Sequence, residues 1–332
     1  MATDAALALI PASTLPDEER RSRGRAVESF PALLARLSRQ SVVKHFDAYA
    51  DIDWDAAESR IDPDDPRWTW GDDDVLGATA WYRAQPEGVR ARIGLHMIAT
   101  FMKLGVQFEG VLKRGLLEFA SRLPNGSPEF RYVYHEVIEE AQHSLMFQEF
   151  VNRTGFDIRG LPAHEERMAR VVVSLGRRFP ELFFVFVLGG EDPIDYVQRK
   201  AVRSGRPIHP LLRRIIQIHV TEEARHLCFA REYLRHRVTG LARHRRLQLA
   251  IGAPLILARM AQLMMRPSRQ IVRAYGIPRA VIAEAYTRNP RHRQNTMEAL
   301  RKVRDLCAEL GIVTPVSARL WRVLGLADAA SA

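Results

Sequence analysis

Cysteine is almost missing from this 332-residue chain: Cys228 and Cys307 are the only two, which excludes a disulfide framework and a Cys-rich zinc site. The opening residues show no basic segment followed by an apolar one, so no secretory leader is expected and the expected location is the reducing cytoplasm. Long apolar runs are scarce too. Arg, His or Lys interrupts each before about 18 residues, the length a membrane-crossing helix needs, and no transmembrane segment is expected. There is no Gly-rich phosphate loop after a strand, no Gly-x-Ser-x-Gly turn and no His-Glu-x-x-His pair, which sets aside P-loop, serine-hydrolase and zinc-protease chemistry. The formal charge of +10 could suit an acidic partner, but Arg is scattered through almost every segment instead of forming a patch, so no nucleic acid is expected.

What is present is helical pattern. With 47% hydrophobic residues the chain can bury a large core, and its apolar positions recur at helical, not strand, spacing. Residues 1–25 lack a sustained apolar period and read as a flexible arm, and residues 26–332 read as one helical domain. Within it, a first amphipathic helix is expected over about Ala26–Phe46. An acidic, proline-broken connection over Asp51–Asp74 follows, pinned by Trp54, Trp68 and Trp70. The bundle itself should occupy about 86–240. One helix runs from Pro86 to Ser121, and another opens with Ser127 as N-cap and Pro128 at its first position and closes near Gly155. A third spans Ala163–Arg203, broken near Phe179-Pro180 and kinked at Pro193, and a fourth covers Pro210–Arg237. Accessory helices fill 241–332: a Leu/Met-rich one through Met265, then Pro278–Tyr286, Arg291–Leu310 and Val316–Leu326.

The chemistry lies in two helical motifs, Glu140-Ala-Gln-His143 and His219-Val-Thr-Glu-Glu223-Ala-Arg-His226. Positions three, four and seven apart share a helix face, so each motif can direct its carboxylates and imidazoles at one metal site. A bundle interior with Glu-x-x-His on two helices and one Glu on each of two others is a dinuclear metal pattern, suited to iron or manganese. Glu109, between Met102, Gly105, Leu112 and Leu116, and Glu191, after Phe184, Val187 and Leu188, are the inward-facing candidates for the two remaining glutamates. Glu136, one turn before Glu140, could accept a hydrogen bond behind the ligands, and Asp195, one turn after Glu191, could orient a ligand histidine. Glu139 and Glu222 are rotated about 100° from the ligand positions and read as packing or surface charges.

These residues resemble the AurF-type arylamine N-oxygenases, ferritin-like diiron proteins with an additional histidine ligand; the likeness covers about Phe46–Met265. The family pattern of Glu, Glu-x-x-His, Glu and His-x-x-x-Glu-x-x-His falls on Glu109, Glu140 with His143, Glu191, and His219 with Glu223 and His226. His219 is the distinguishing residue, because common ferritin-like enzymes lack it. The resemblance implies an all-α bundle and two Fe ions, with Fe/Fe favoured over Mn/Fe. It further implies O2 as co-substrate, a homodimer, and oxidation of an aromatic amine toward hydroxylamine or nitro products. No flavin or nicotinamide fingerprint is present, so an external ferredoxin or reductase is expected to supply electrons. Two other functions fit the same ligands. One is a diiron hydroxylase or desaturase acting on a carrier-bound acyl or aminoacyl group, which a broad pocket with basic residues at its mouth would favour. The other is a non-enzymatic ferritin-like storage or sensing protein.

Overall fold

A computed structural model describes residues 28–327 of the chain; the arm expected over residues 1–25 lies outside them. The described residues form helices without a strand. In chain order these are α1 (Phe30–Val43), α2 (Ala80–Arg83), α3 (Glu87–Ala120), α4 (Pro128–Thr154), α5 (Ala163–Arg178), α6 (Pro180–Arg203) and α7 (Pro210–Val238). Then come α8 (Arg243–Met264), α9 (Arg269–Ala274), α10 (Arg279–Tyr286), α11 (Pro290–Ala299), α12 (Arg301–Glu309) and α13 (Pro315–Val323). The architecture is a ferritin-like all-α bundle of α3, α4, α6 and α7, with α3 packed along α4 and α6 along α7.

The punctuation is local chemistry. Helix α4 starts at Ser127-Pro128, where proline gives up an N–H that would have no partner, and ends at Gly155, whose φ of 69° is left-handed. Pro180 ends α5 and begins α6 across Phe179, whose backbone is not helical. The expected Arg291–Leu310 helix is divided at Leu300 into α11 and α12. Among the described residues the stretch Arg243–Ala274, which covers α8 and α9, is long and apolar enough to cross a membrane. Helix α8 buries Leu249, Ala253, Leu257 and Met260 within the larger core and packs on α6, while Leu247, Ile251 and Leu255 on its other side are exposed.

Two apolar clusters divide the bundle. One gathers Phe108, Leu112 and Leu116 of α3, Tyr132 and Val133 of α4, Phe184 to Leu188 of α6 and Leu227 to Leu234 of α7. The other gathers Ala99 and Met102 of α3, Met146, Phe147 and Phe150 of α4, and Leu211, Ile215 and Ile218 of α7. Reading along α4 and α7, the glutamates and histidines of the two motifs fall between these clusters. Apolar side chains therefore close the bundle interior on both sides of a polar band.

The connection from Lys44 to Thr79 is fastened to the bundle by its tryptophans. Trp68 is buried, stacks on His209 at 4.5 Å, and donates its ring N–H to the Asp62 carbonyl. Trp54 donates to the Ala48 carbonyl at 2.7 Å. Helix α3 comes so close to this connection that a Cβ on Gly94 would lie 1.8 Å from the Trp68 carbonyl oxygen. Gly94→Ala is therefore expected to destabilise the protein by about 2–3 kcal/mol, since overpacking against backbone cannot be relieved by a rotamer change. Urea denaturation checks this, and a loss below about 0.5 kcal/mol would contradict the close approach.

Candidate metal centre

Helical spacing delivers the seven motif side chains into the polar band. Glu109 comes from α3, Glu140 and His143 from α4, Glu191 from α6, and His219, Glu223 and His226 from α7. Each is no more than 1% exposed, far drier than ordinary carboxylates and imidazoles. Their donor atoms converge. Those of Glu109, His143 and His219, of Glu140, His143 and Glu223, and of Glu191, His219 and Glu223 form three groups, each within 4.8 Å. Glu140 lies between two histidines, with Oε1 3.0 Å from His226 Nδ1 and Oε2 3.4 Å from His143 Nδ1. Glu223 Oε1 faces all three imidazoles, at 3.1 Å from His226 Nδ1, 3.4 Å from His143 Nδ1 and 3.7 Å from His219 Nε2. Glu191 Oε2 is 4.0 Å from His219 Nε2.

Helices α3 and α6 meet closely beside this cluster. A Cβ on Gly190 would lie 2.2 Å from Phe108 Cζ, so glycine there lets the helices bring Glu191 and Glu109 to one band. Pro193 lies within α6, one turn beyond Gly189 and Gly190.

Several of these buried atoms have no hydrogen-bond partner: Glu109 Oε1, both oxygens of Glu140 and Glu191, Glu223 Oε2, His143 Nδ1 and His219 Nε2. Buried polar atoms are ordinarily satisfied, and here the unsatisfied ones point at one another. Burial, helped by the Glu140 charge, pushes the Glu109 carboxyl up to about 8. Burial and the charges of Glu223, Glu140 and Glu109 push Glu191 well above the carboxylate range. Burial and the His143 charge hold the His219 imidazole well below its usual value. Four carboxylates sharing a dry interior need cations to remain ionised. Imidazole and carboxylate without thiolate is a donor set that fits a pair of iron or manganese ions, and two divalent cations would balance four carboxylates.

Behind the imidazoles stands a second layer. His143 Nε2 lies 2.9 Å from Glu222 Oε2, and His226 Nε2 lies 2.7 Å from Glu139 Oε2. Arg225 bridges the two carboxylates, donating through Nη2 to Glu139 at 2.8 Å and to Glu222 at 3.5 Å, and the Phe46 backbone N–H also donates to Glu222. Burial opposes ionisation of Glu139, yet the hydrogen bond from His226 and the charges of His226 and Arg225 outweigh it and hold the carboxyl down at about 2. Glu139 and Glu222 are buried and thus not surface charges; each stands behind a histidine of the facing helix. His219 is held through Nδ1 by Gln198 Oε1 at 3.0 Å. Lys113 donates to the Glu140 carbonyl and to Ser144, and Ser144 donates to Glu109 Oε2 at 2.7 Å.

The two supporting residues expected from sequence behave otherwise. Asp195 orients no histidine: it pairs with Arg199 at 2.5 Å and with Lys302 of α12 at 3.3 Å, which turn it away from the cluster. Glu136 is fully buried beside the cluster, but both its oxygens lack a hydrogen-bond partner, so no ligand histidine donates to it.

A helical bundle enclosing this carboxylate–imidazole cluster defines a ferritin-like protein with a candidate dinuclear metal centre. The chain belongs to the P-aminobenzoate N-oxygenase AurF family, whose model matches residues 28–311. It is 38% identical over 291 residues to uncharacterized proteins from two strains of Mycobacterium tuberculosis and from Mycobacterium bovis, covering 88% of this chain and 86% of each relative. No solved structure matches it significantly.

Proposed function

We propose that this protein is a non-haem diiron monooxygenase that oxidises the nitrogen of an aromatic amine toward a hydroxylamine or nitro product. The observation that carries this reading is the convergence of seven buried, largely unpartnered ligand side chains from four helices, in a member of an N-oxygenase family. Glu109, Glu140, His143, Glu191, His219, Glu223 and His226 hold the two irons. When bound, the iron pair supplies O2 activation and oxygen transfer, chemistry no side chain here could provide alone.

The protein's own residues position and shield. Glu222 and Glu139 accept the outer ring N–H of His143 and His226, which fixes these tautomers and turns Nδ1 inward. Gln198 accepts from His219 Nδ1 and leaves Nε2 facing Glu191 and Glu223. The apolar clusters on both sides keep water from the reacting atoms. A ferredoxin or reductase delivers electrons, and the working form is a cytoplasmic homodimer.

A cavity of about 300 Å³ lies beside the centre and carries Arg206, Lys200 and Arg266 in its walls. That observation also favours a second reading, hydroxylation of a carrier-bound acyl or aminoacyl group at the same irons. The test is metal content after iron-replete expression, followed by rapid mixing of the reduced protein with O2 and product analysis with arylamines. About two irons per chain, an O2-dependent absorbance transient and nitrogen oxidation are expected. Iron without amine oxidation would turn the reading toward the carrier-bound substrate, and absence of iron would remove its basis.

A further inference from the structure

The cavity beside the metal centre runs from an exposed rim to the buried Gln198 that holds His219. Along α6 and its C-cap the wall extends from Tyr196 to Ser204, a helix rise of about 12 Å. Its inner walls are apolar, with Phe101, Met102, Ile216 and Leu263 from α3, α7 and α8. Three polar atoms among the lining residues are buried without a partner: Thr100 Oγ1, Trp70 Nε1 and Tyr286 Oη.

The charges in the walls do not cancel. Arg67 is paired with Asp65, and Arg206 lies 3.7 Å from Asp73. Asp74 accepts the backbone N–H groups of Leu76 and Gly77. Lys200, by contrast, donates to the Asn295 amide oxygen and lies over the Tyr196 ring, and the Asp74 carboxylate acts on it from beyond ion-pair distance. Arg266, on the exposed rim, donates to the Tyr286 carbonyl. Neither cation has a carboxylate within ion-pair distance among the described residues, although acidic residues line the same cavity.

We propose that this cavity binds an elongated apolar substrate ending in an anionic group, held by Lys200 and Arg266 at the outer end while the other end reaches Gln198 and His219. This rests on the diiron reading and narrows its substrate: the molecule is longer than a single ring bearing a carboxylate. A free carboxylate and the phosphate of a tethered substrate share the required anionic oxygens. Thr100 and Tyr286 offer hydroxyls to polar groups along its length.

Calorimetric titration of the full-length, metal-loaded protein under anaerobic conditions tests this without turnover, and metal content is assayed separately. The probes are 4-aminobenzoate, 4-(4-aminophenyl)butanoate, the butanamide of the latter, and 4-(4-aminophenyl)butyl phosphate. The butanoate or the phosphate is expected to bind about tenfold or more tighter than the amide and than 4-aminobenzoate, a margin typical of charge-assisted hydrogen bonds; the tighter of the two identifies the source of the anion. Lys200→Met with Arg266→Met should erase the preference for acid over amide while leaving iron content unchanged. Lys200→Arg should retain the preference. Equal affinity for acid and amide, or 4-aminobenzoate binding as tightly as the longer acids, would overturn the assignment. A protein that binds the acids but holds no iron would keep this cavity and lose the diiron reading.

Discussion

Glu223→Ala is expected to leave the protein with fewer than about one metal ion per chain, against about two in the parent chain, and to abolish O2-dependent amine oxidation. Glu223 carries this effect because its Oε1 faces His226, His143 and His219 within 3.7 Å, whereas Glu140 faces two of the three. Its removal takes an oxygen from both halves of the cluster. The fold should survive, since the change deletes a buried carboxylate and adds no polar group. Thermal unfolding should then separate the two proteins only when iron is present: metal at about 1,000 times its Kd stabilises the native state by about 4 kcal/mol, a gain the variant lacks. Elemental analysis and melting curves with and without iron check both parts. Asp195→Asn is the contrasting variant, expected to keep its metal because the ion pairs of Asp195 among the described residues are with Arg199 and Lys302. Retention of both metal ions by Glu223→Ala would refute the ligand assignment.

Arg225→Leu is expected to damage stability and metal binding together. Arg225 is buried and lies between Glu139 and Glu222, themselves buried, so its loss leaves two carboxylates without their cation. Breaking a buried pair in this way costs about 3–5 kcal/mol. The same carboxylates hold His226 and His143, and loosening such supports weakens metal affinity about 10–100-fold. Denaturant midpoints of the metal-free protein measure the first effect, and competition with a chromogenic chelator measures the second. A variant with parental stability and parental metal affinity would show that Arg225 contributes neither.

Much of this was legible in the sequence because proline and glycine mark helix ends by local chemistry. The expected Pro86–Ser121 helix is α3 within a residue at each end, and Pro210–Arg237 is α7 with one residue added. That the two Glu-x-x-His motifs face one interior was equally visible, since helical periodicity places residues three, four and seven apart on one face. Their supports were not. Glu139 and Glu222 stand about 100° from Glu140 and Glu223, and that rotation, correctly read as removing them from the centre, is what aims each at the facing helix, behind His226 and His143. A pattern within one helix cannot report which neighbour that face meets. Gln198 left a fainter signal: it lies seven residues after Glu191, on the same face, but is uncharged and lacked a visible partner. Asp195 had the same spacing logic, yet its cations come from its own helix and from α12, a hundred residues later. The cavity was illegible for the same reason, because its walls combine the tryptophan connection with five or more helices distant in sequence.

The four walls of the centre differ mechanically. Helices α3, α4 and α7 carry their ligands on spans without internal proline, whereas α6 presents Glu191 directly after Gly189-Gly190 and before Pro193. Glycine is a weak helix former, and proline removes the hydrogen bond that would have tied residue 193 back to residue 189. The candidate centre thus has three uninterrupted sides and one interrupted side, and Glu191, on the interrupted side, is the glutamate expected to shift most easily while its partners stay fixed.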